Sequence, residues 1–253
     1  MQSDIEINKN LASQDYWDDA YANYSLHDKV GDDDIVKKWI LNNVQKGKGL
    51  SCLEIGCFPG RYLTVMGDLG YTLSGVDLTP RVKDEFPAWL KSEGYSVGTF
   101  VQEDFFKFQP KQKFDLVCSF GFIEHFTNWE SVLLKHIELI NETGYLVIET
   151  PNFRGWVQKF IHWYIDNENY KRHYVPSMNP EKWASICEKH GFEIVFKGHI
   201  GEFQFWVDKQ PTTYFRKKIF NWLIRNYDLL RKMKPGKSSY SPFCGIVAKR
   251  KSN

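Results

Sequence analysis

The sequence predicts an α/β fold, a doubly wound and mostly parallel sheet of seven strands with helices on both faces and an aromatic-rich cap insertion late in the chain. Three observations carry this. Short apolar runs alternate with stretches of helical periodicity from Leu50 to Glu149, the pattern of β-α-β units whose strands pair in parallel through right-handed crossovers. The run Phe114-Asp115-Leu116-Val117-Cys118-Ser119 is almost continuously apolar, as a strand covered on both faces must be. The first run, Leu53-Glu54-Ile55, stops in Gly56-Cys57-Phe58-Pro59-Gly60, a turn whose glycines permit positive φ and the close approach of a ligand.

Taken in order, Tyr16 to Tyr21 and Asp34 to Val44 read as helices ahead of the sheet, the second with Ile35, Trp39, Ile40 and Val44 at helical spacing. Strands are read at 50–55, 71–77, 98–102, 114–119, 145–149, 192–196 and 243–249. A helix at 61–69 follows the glycine turn, and another at 80–92 has Thr79 as N-cap, Pro80 at its first position and Gly94 as its stop. Pro87 is expected to kink or split that helix. A helix at 129–140 is closed by Gly144, and a later one has Asn179 as N-cap, Pro180 at its first position and Gly191 as stop.

The turn also says what kind of ligand to expect. Dinucleotide turns run G-x-G-x-x-G and aim a helix N-terminus at pyrophosphate. Here the spacing is G-x-x-x-G with Glu54 ahead of the first glycine, where a carboxylate would repel a pyrophosphate. A cofactor without phosphates is favoured, and the missing middle glycine disfavours a nicotinamide dehydrogenase.

Glu54-x-Gly56-x-x-x-Gly60 resembles the first motif of the class I S-adenosylmethionine-dependent methyltransferases. Asp77 ends a second apolar run, Asp104 follows Phe100-Val101-Gln102-Glu103, and the block from Phe114 to Phe126 carries Glu124-His125, similar to the fourth-strand motif of the small-molecule O- and N-methyltransferases. The resemblance covers 50–152 closely and the rest of the chain loosely. It implies a Rossmann-like fold, S-adenosylmethionine as cofactor, and methyl transfer to an oxygen or nitrogen of a small-molecule, sugar or lipid-linked acceptor. In one such domain, residues 1–48 would be N-terminal helices, 49–150 the cofactor-binding core, 151–178 a lid insertion and 179–253 a C-terminal part.

By that resemblance Glu54, Gly56 and Gly60 hold the methionine portion, with the backbone of Cys57 and Phe58 lining it. Asp77 takes the ribose hydroxyls with Leu78 beside the adenine, and Asp104, or Glu103 in its place, accepts from the adenine amino group with Phe105 alongside. Ser119 and Phe120, at the end of the fourth strand, complete the cofactor set. Phe58 stands where the family more often has glycine, so its ring either packs on the cofactor or closes one side of the pocket.

His125 is the candidate catalytic group, because an imidazole titrates where it can take a proton from a hydroxyl or phenol near neutral pH. The competing reading is a histidine that caps or packs the following helix. Glu124 is not expected to pair with it, since adjacent side chains on a helix point apart. The insertion at 151–178 is rich in aromatics and reads as a lid over the acceptor, with Trp163, Tyr170, Arg172 and His173 as candidate contacts. Flat rings exclude water and stack on rings or sugars, so the acceptor is expected to be aromatic or a sugar.

The segment 209–237 is basic and aromatic. It fits a cap helix burying Phe220, Leu223, Ile224 and Tyr227, or a helix lying on an anionic membrane surface, which would suit a lipid-linked acceptor. A rival function from another class follows: a non-catalytic S-adenosylmethionine-binding module that docks to a membrane or protein partner through this segment. The formal net charge of +2 gives no basis for nucleic-acid binding, and no apolar run approaches a membrane span. The start, Met1-Gln2-Ser3-Asp4-Ile5-Glu6, lacks the features of a secretory signal, and five scattered cysteines form no C-x-x-C pair. A reduced cytoplasmic protein without a structural metal is expected, either free or peripheral to the inner face of the membrane.

Overall fold

The computed structural model describes residues 10–26 and 29–251. Its strands are β1 (Ser51–Ile55), β2 (Thr72–Asp77), β3 (Val97–Gln102), β4 (Phe114–Phe120), β5 (Ile140–Pro151), β6 (Phe192–Ile200) and β7 (Phe243–Arg250). They form one seven-stranded sheet in the order β3-β2-β1-β4-β5-β7-β6. The first five pair in parallel with one another, whereas β7 runs antiparallel to both β5 and β6. The strand order reverses direction between β1 and β4, and ligands in such sheets sit at the carboxyl ends of the strands at that point.

The helices are α1 (Gln14–Tyr21), α2 (Ile35–Asn43), α3 (Leu63–Asp68), α4 (Glu85–Ser92), α5 (Trp129–Glu138), α6 (Trp156–Ile165), α7 (Asn167–Lys171), α8 (Pro180–Lys189), α9 (Tyr214–Arg225) and α10 (Tyr227–Leu230). Because side chains alternate along a strand, β1 feeds both faces of the sheet. Leu53 and Ile55 join Trp129, Leu133 and Trp183 of α5 and α8 on one side. Cys52 joins Trp39, Ile40, Leu63, Met66 and Leu90 of α2, α3 and α4 on the other. All five cysteines are free and buried, with the Cys52 and Cys118 sulfurs 3.8 Å apart.

Several expected boundaries move, two of them with an identifiable cause. The 80–92 helix divides into a 3-10 turn, Pro80–Val82, and α4. Pro87 is not the breaking point: it occupies the first turn of α4, where a backbone N–H has no intrahelical partner to lose. Gly144 lies inside β5 instead of closing α5. A Cβ there would stand 2.8 Å from the Asp115 carbonyl oxygen, so the glycine serves the close approach of β5 to β4.

The C-terminal segment packs as a cap. Leu223 of α9 is buried with Ile161 and Ile165 of α6 and with Phe203, and Ile219, Phe220 and Tyr227 lie against them. Ile224, expected in the same stripe, is 54% exposed, since one residue along a helix turns it away from Leu223. Among the described residues no helix is long and apolar enough to cross a membrane.

Candidate active site

A cleft of about 1100 Å³ opens at the carboxyl ends of β1, β2, β4 and β5. Its floor is the turn after β1. Gly56 and Gly60 have φ of +67° and +73°, and a Cβ on Gly60 would fall 2.0 Å from Cζ of Phe86, so neither conformation nor space admits another residue there. Asp77 at the end of β2 accepts hydrogen bonds from the Phe58 N–H at 3.1 Å and the Thr79 N–H at 2.9 Å. Burial raises the Asp77 carboxyl above the usual carboxylate range against these bonds.

Glu54 is buried at the end of β1, and its Oε2 has no hydrogen-bond partner. Burial, with the Asp77 charge adding to it, pushes its carboxyl well above the usual range. Two acids in one low-dielectric pocket, one with an unpartnered oxygen, form a site that gains by accepting a cation or a hydroxyl donor. Leu78, Asp104, Phe105 and Phe120 also line the cleft, as does Glu103, the alternative to Asp104. Asp104 commits Oδ1 to the Phe106 N–H at 2.9 Å.

Phe58 acts as an anchor. Its ring meets Tyr21, Tyr24 and Phe86 edge-on and carries the Arg81 guanidinium at 4.6 Å, so it ties the segment after α1 to the glycine turn. Four sequence-predicted residues stand off the cleft. The Cys57 side chain turns into the core against Gly75. Ser119 is fully buried and bonded to Nε2 of His136 at 3.0 Å. Trp163 is 53% exposed on the outer side of α6, and Tyr170 stacks behind the cleft on Phe153.

The far end of the cleft gathers residues from distant parts of the chain. His125 lies in a 3-10 turn, Ile123–His125, and its Nδ1–H donates to the Arg172 carbonyl at 2.8 Å. His173 bonds through Nδ1 to the Asn169 carbonyl at 2.7 Å. A carbonyl accepts only, so both Nδ1 atoms carry the proton and both Nε2 atoms are bare in the neutral rings. Burial lowers the His125 pKa to about 4, and burial and the neighbouring His125 hold His173 well below the normal range.

Both carboxylate oxygens of Glu124 lack partners, and burial raises this acid to about 8. Although adjacent side chains were expected to point apart, donor atoms of Glu124, His125 and His173 lie within 4.8 Å of one another. Among the described residues these three are the set whose donor atoms come close enough to hold a cation.

The roof comes from α1, which buries no side chain of its own. Trp17 meets the His125 ring at 5.2 Å, and Tyr16 lies under the Arg172 guanidinium at 4.1 Å and donates from its hydroxyl to Asp208 at 3.2 Å. Arg172 closes the group by pairing with Asp208. Sequence reasoning recognised Arg172 and His173 but missed Trp17, Glu149, Trp206 and Asp208, all of which line the cleft. Only Glu149 carried a local signal, an acid inside an apolar strand.

These buried acids set a pH dependence. Glu54, Glu124 and Glu149 keep their protons in the folded state well above the value at which the unfolded chain releases them. Their contribution is therefore complete below about pH 4.5 and is lost as pH rises through the folded values. The histidines lowered to about 4 are neutral in both states above pH 7 and do not oppose this. Thermal unfolding of the ligand-free protein is expected at a lower temperature at about pH 8.5 than at pH 7, and Glu124→Gln should flatten the difference. An unchanged slope in that variant would refute the assignment to Glu124.

Residues 31–196 match a family model described as a methyltransferase domain. The chain belongs to this family. It is the class I methyltransferase family whose motifs the glycine turn, Asp77 and the Glu124-His125 block resemble. A ubiquinone biosynthesis O-methyltransferase of Rickettsia canadensis (strain McKiel) is 23% identical over 151 residues, which are 54% of this chain and 60% of that protein. The chain thus spans less than two thirds of that relative's length. A SAM-dependent methyltransferase from Archaeoglobus fulgidus has TM-score 0.52 at 23% identity over 85% of this chain and 93% of that one. The N-methyltransferase NodS from Bradyrhizobium japonicum, solved with S-adenosyl-L-homocysteine, has TM-score 0.52 at 13% identity over 95% and 94%. At these identities the structures establish the shared fold.

Proposed function

We propose that this methyltransferase moves a methyl group from S-adenosylmethionine to an oxygen or nitrogen of a small-molecule, sugar or lipid-linked acceptor. The observation that carries the reading is the unpartnered Glu54 oxygen beside Asp77 at a turn with no room for Cβ atoms. The cofactor fits that site: it has no phosphates to be repelled, its positive charges would be met by buried acids, and its ribose would supply hydroxyl donors. When bound, it supplies an electrophilic methyl group on a sulfonium.

The chain's own work is positioning and one proton. Gly56 and Gly60 would let the main chain approach the methionine portion, Glu54 would meet its positive charge on releasing its own proton, and Asp77, held in place by its backbone bonds, would accept from the ribose. Leu78 and Phe105, which line the cleft, would flank the base, and Asp104 would have an oxygen left for the adenine amino group. His125, neutral and with Nε2 bare, takes the acceptor's proton as the new bond forms. Trp17, Tyr16 and the Arg172–Asp208 pair cover that end and keep water out. The acceptor end presents flat rings and unpartnered acids, which favours an aromatic, sugar or amine acceptor bearing donors. The acceptor class of the Rickettsia relative, an oxygen nucleophile, is compatible with this end of the cleft.

The test is an acceptor screen with phenols, amines, sugars and lipid-linked sugars, read by S-adenosylhomocysteine release. Release with one class and a methylated product of matching mass is expected. Tight cofactor binding in a calorimeter with no release from any class would point instead to the non-catalytic binding module.

A further inference from the structure

We infer that the face formed by α6, α9 and α10 docks on the surface of an anionic lipid bilayer. These helices already bury one apolar side against each other, through Ile161, Ile165, Leu223 and Tyr227. They nevertheless carry a second set of large apolar side chains outward. Trp156 is 71% exposed, Trp163 53%, Phe215 69%, Trp222 55% and Leu229 68%. On α6, Trp156, Phe160 and Trp163 are four and seven residues apart and so share one face, opposite the buried Ile161 and Ile165. Phe160 stacks on Tyr164, and the Arg216 guanidinium of α9 lies 5.6 Å from the Tyr164 ring, which joins the outer faces of the two helices.

Charge selects the occupant. Residues 209–237 hold nine Lys and Arg against one acid, Asp228, in a chain whose formal net charge is only +2. No Asp or Glu occurs in α6. Lys218 and Trp222 line a shallow groove together on α9, a cation next to an indole. Tryptophan and tyrosine favour the headgroup level of a bilayer, and interleaved lysines and arginines favour anionic lipids beside them. A second copy seated on this face would bring two strongly basic segments together.

The face is continuous with the cleft. Pro151 lines the cleft and the chain then enters α6, while Trp206 and Asp208 line it shortly before α9. A docked protein would therefore hold its cleft near the headgroups, within reach of an amphiphilic acceptor. That last consequence rests on the methyltransferase reading, whereas docking itself does not.

Vesicle flotation of the full chain tests docking without any methyl transfer. The wild type is expected to float with vesicles containing phosphatidylglycerol, to float poorly with phosphatidylcholine alone, and to lose binding at high salt. Trp156→Ser/Trp163→Ser/Trp222→Ser and Lys217→Glu/Lys218→Glu change only exposed side chains, so both should keep the wild-type circular dichroism and cofactor affinity. Each should lower the partition coefficient at least about tenfold. Absence of flotation by the wild type, flotation of both variants as strong as that of the wild type, or a dimer in sedimentation that the tryptophan variant abolishes would overturn the inference.

Discussion

Asp77→Ala is expected to abolish binding of S-adenosylmethionine in a titration calorimeter. The carboxylate sits at the end of β2, and its oxygens accept from the Phe58 and Thr79 N–H groups at 3.1 and 2.9 Å. Those bonds hold it where the resemblance places the ribose hydroxyls. Each hydrogen bond to a charged group is worth about 1.5–3 kcal/mol, so losing two ribose bonds alone weakens binding by roughly 10²- to 10⁴-fold. Removal also orphans the two backbone donors and slackens the Gly56 to Gly60 turn, which adds to the loss. Asp77→Asn separates these effects: its remaining carbonyl oxygen keeps one acceptor for the turn, so binding should fall by an intermediate factor with a smaller loss of thermal stability than in Asp77→Ala. Wild-type affinity in Asp77→Ala would remove the ribose role from this residue.

The difference in how well the two ends of the cleft could be read from sequence has a physical origin. The proposed cofactor end is built from strand termini, and buried parallel strands announce themselves as apolar runs, so the acids and glycines that interrupt them stand out at fixed offsets. Glu54, Asp77 and Asp104 were legible for that reason. The proposed acceptor end is built from Trp17, His125, Arg172 and Asp208, which meet only after the chain has folded; α1 is legible as a helix, but it buries no side chain, so its pattern does not say what it covers. Trp163 was misplaced because α6 has two apolar stripes and hydrophobicity alone does not say which one faces inward. Phe58 had no explanation in motif spacing, since its partners Tyr21 and Arg81 come from outside the turn. Ser119 has the right position on β4, yet its side chain turns to the buried His136 and away from the cleft.

His125→Ala tests the remaining step. Loss of a positioned general base is expected to slow transfer by about 10²- to 10⁴-fold while cofactor affinity stays roughly unchanged. Because His125 also holds the Arg172 carbonyl, a slower variant could reflect a loosened roof, and His125→Asn addresses this. An asparagine amide can still donate to that carbonyl but has no basic nitrogen, so it should restore the thermal stability without restoring the rate. The pH profile gives a second readout. A base titrating at about 4 is unprotonated throughout the neutral range, so the wild-type rate should hold level from pH 7 down to about pH 5.5 and not fall below 6.5 as an unperturbed imidazole would require. So low a pKa makes His125 a weak base at rest, and Glu124 compensates. With their donor atoms within 4.8 Å, a proton arriving on His125 lets Glu124, poised at about 8, release its own proton to solvent, and the new imidazolium then faces a carboxylate. Glu124→Gln should therefore slow transfer in a variant that retains His125, and Glu124→Gln combined with His125→Ala should be little slower than His125→Ala alone. Near-wild-type turnover in His125→Ala would transfer the proton-accepting role elsewhere, with His173 the next bare Nε2 in the cleft.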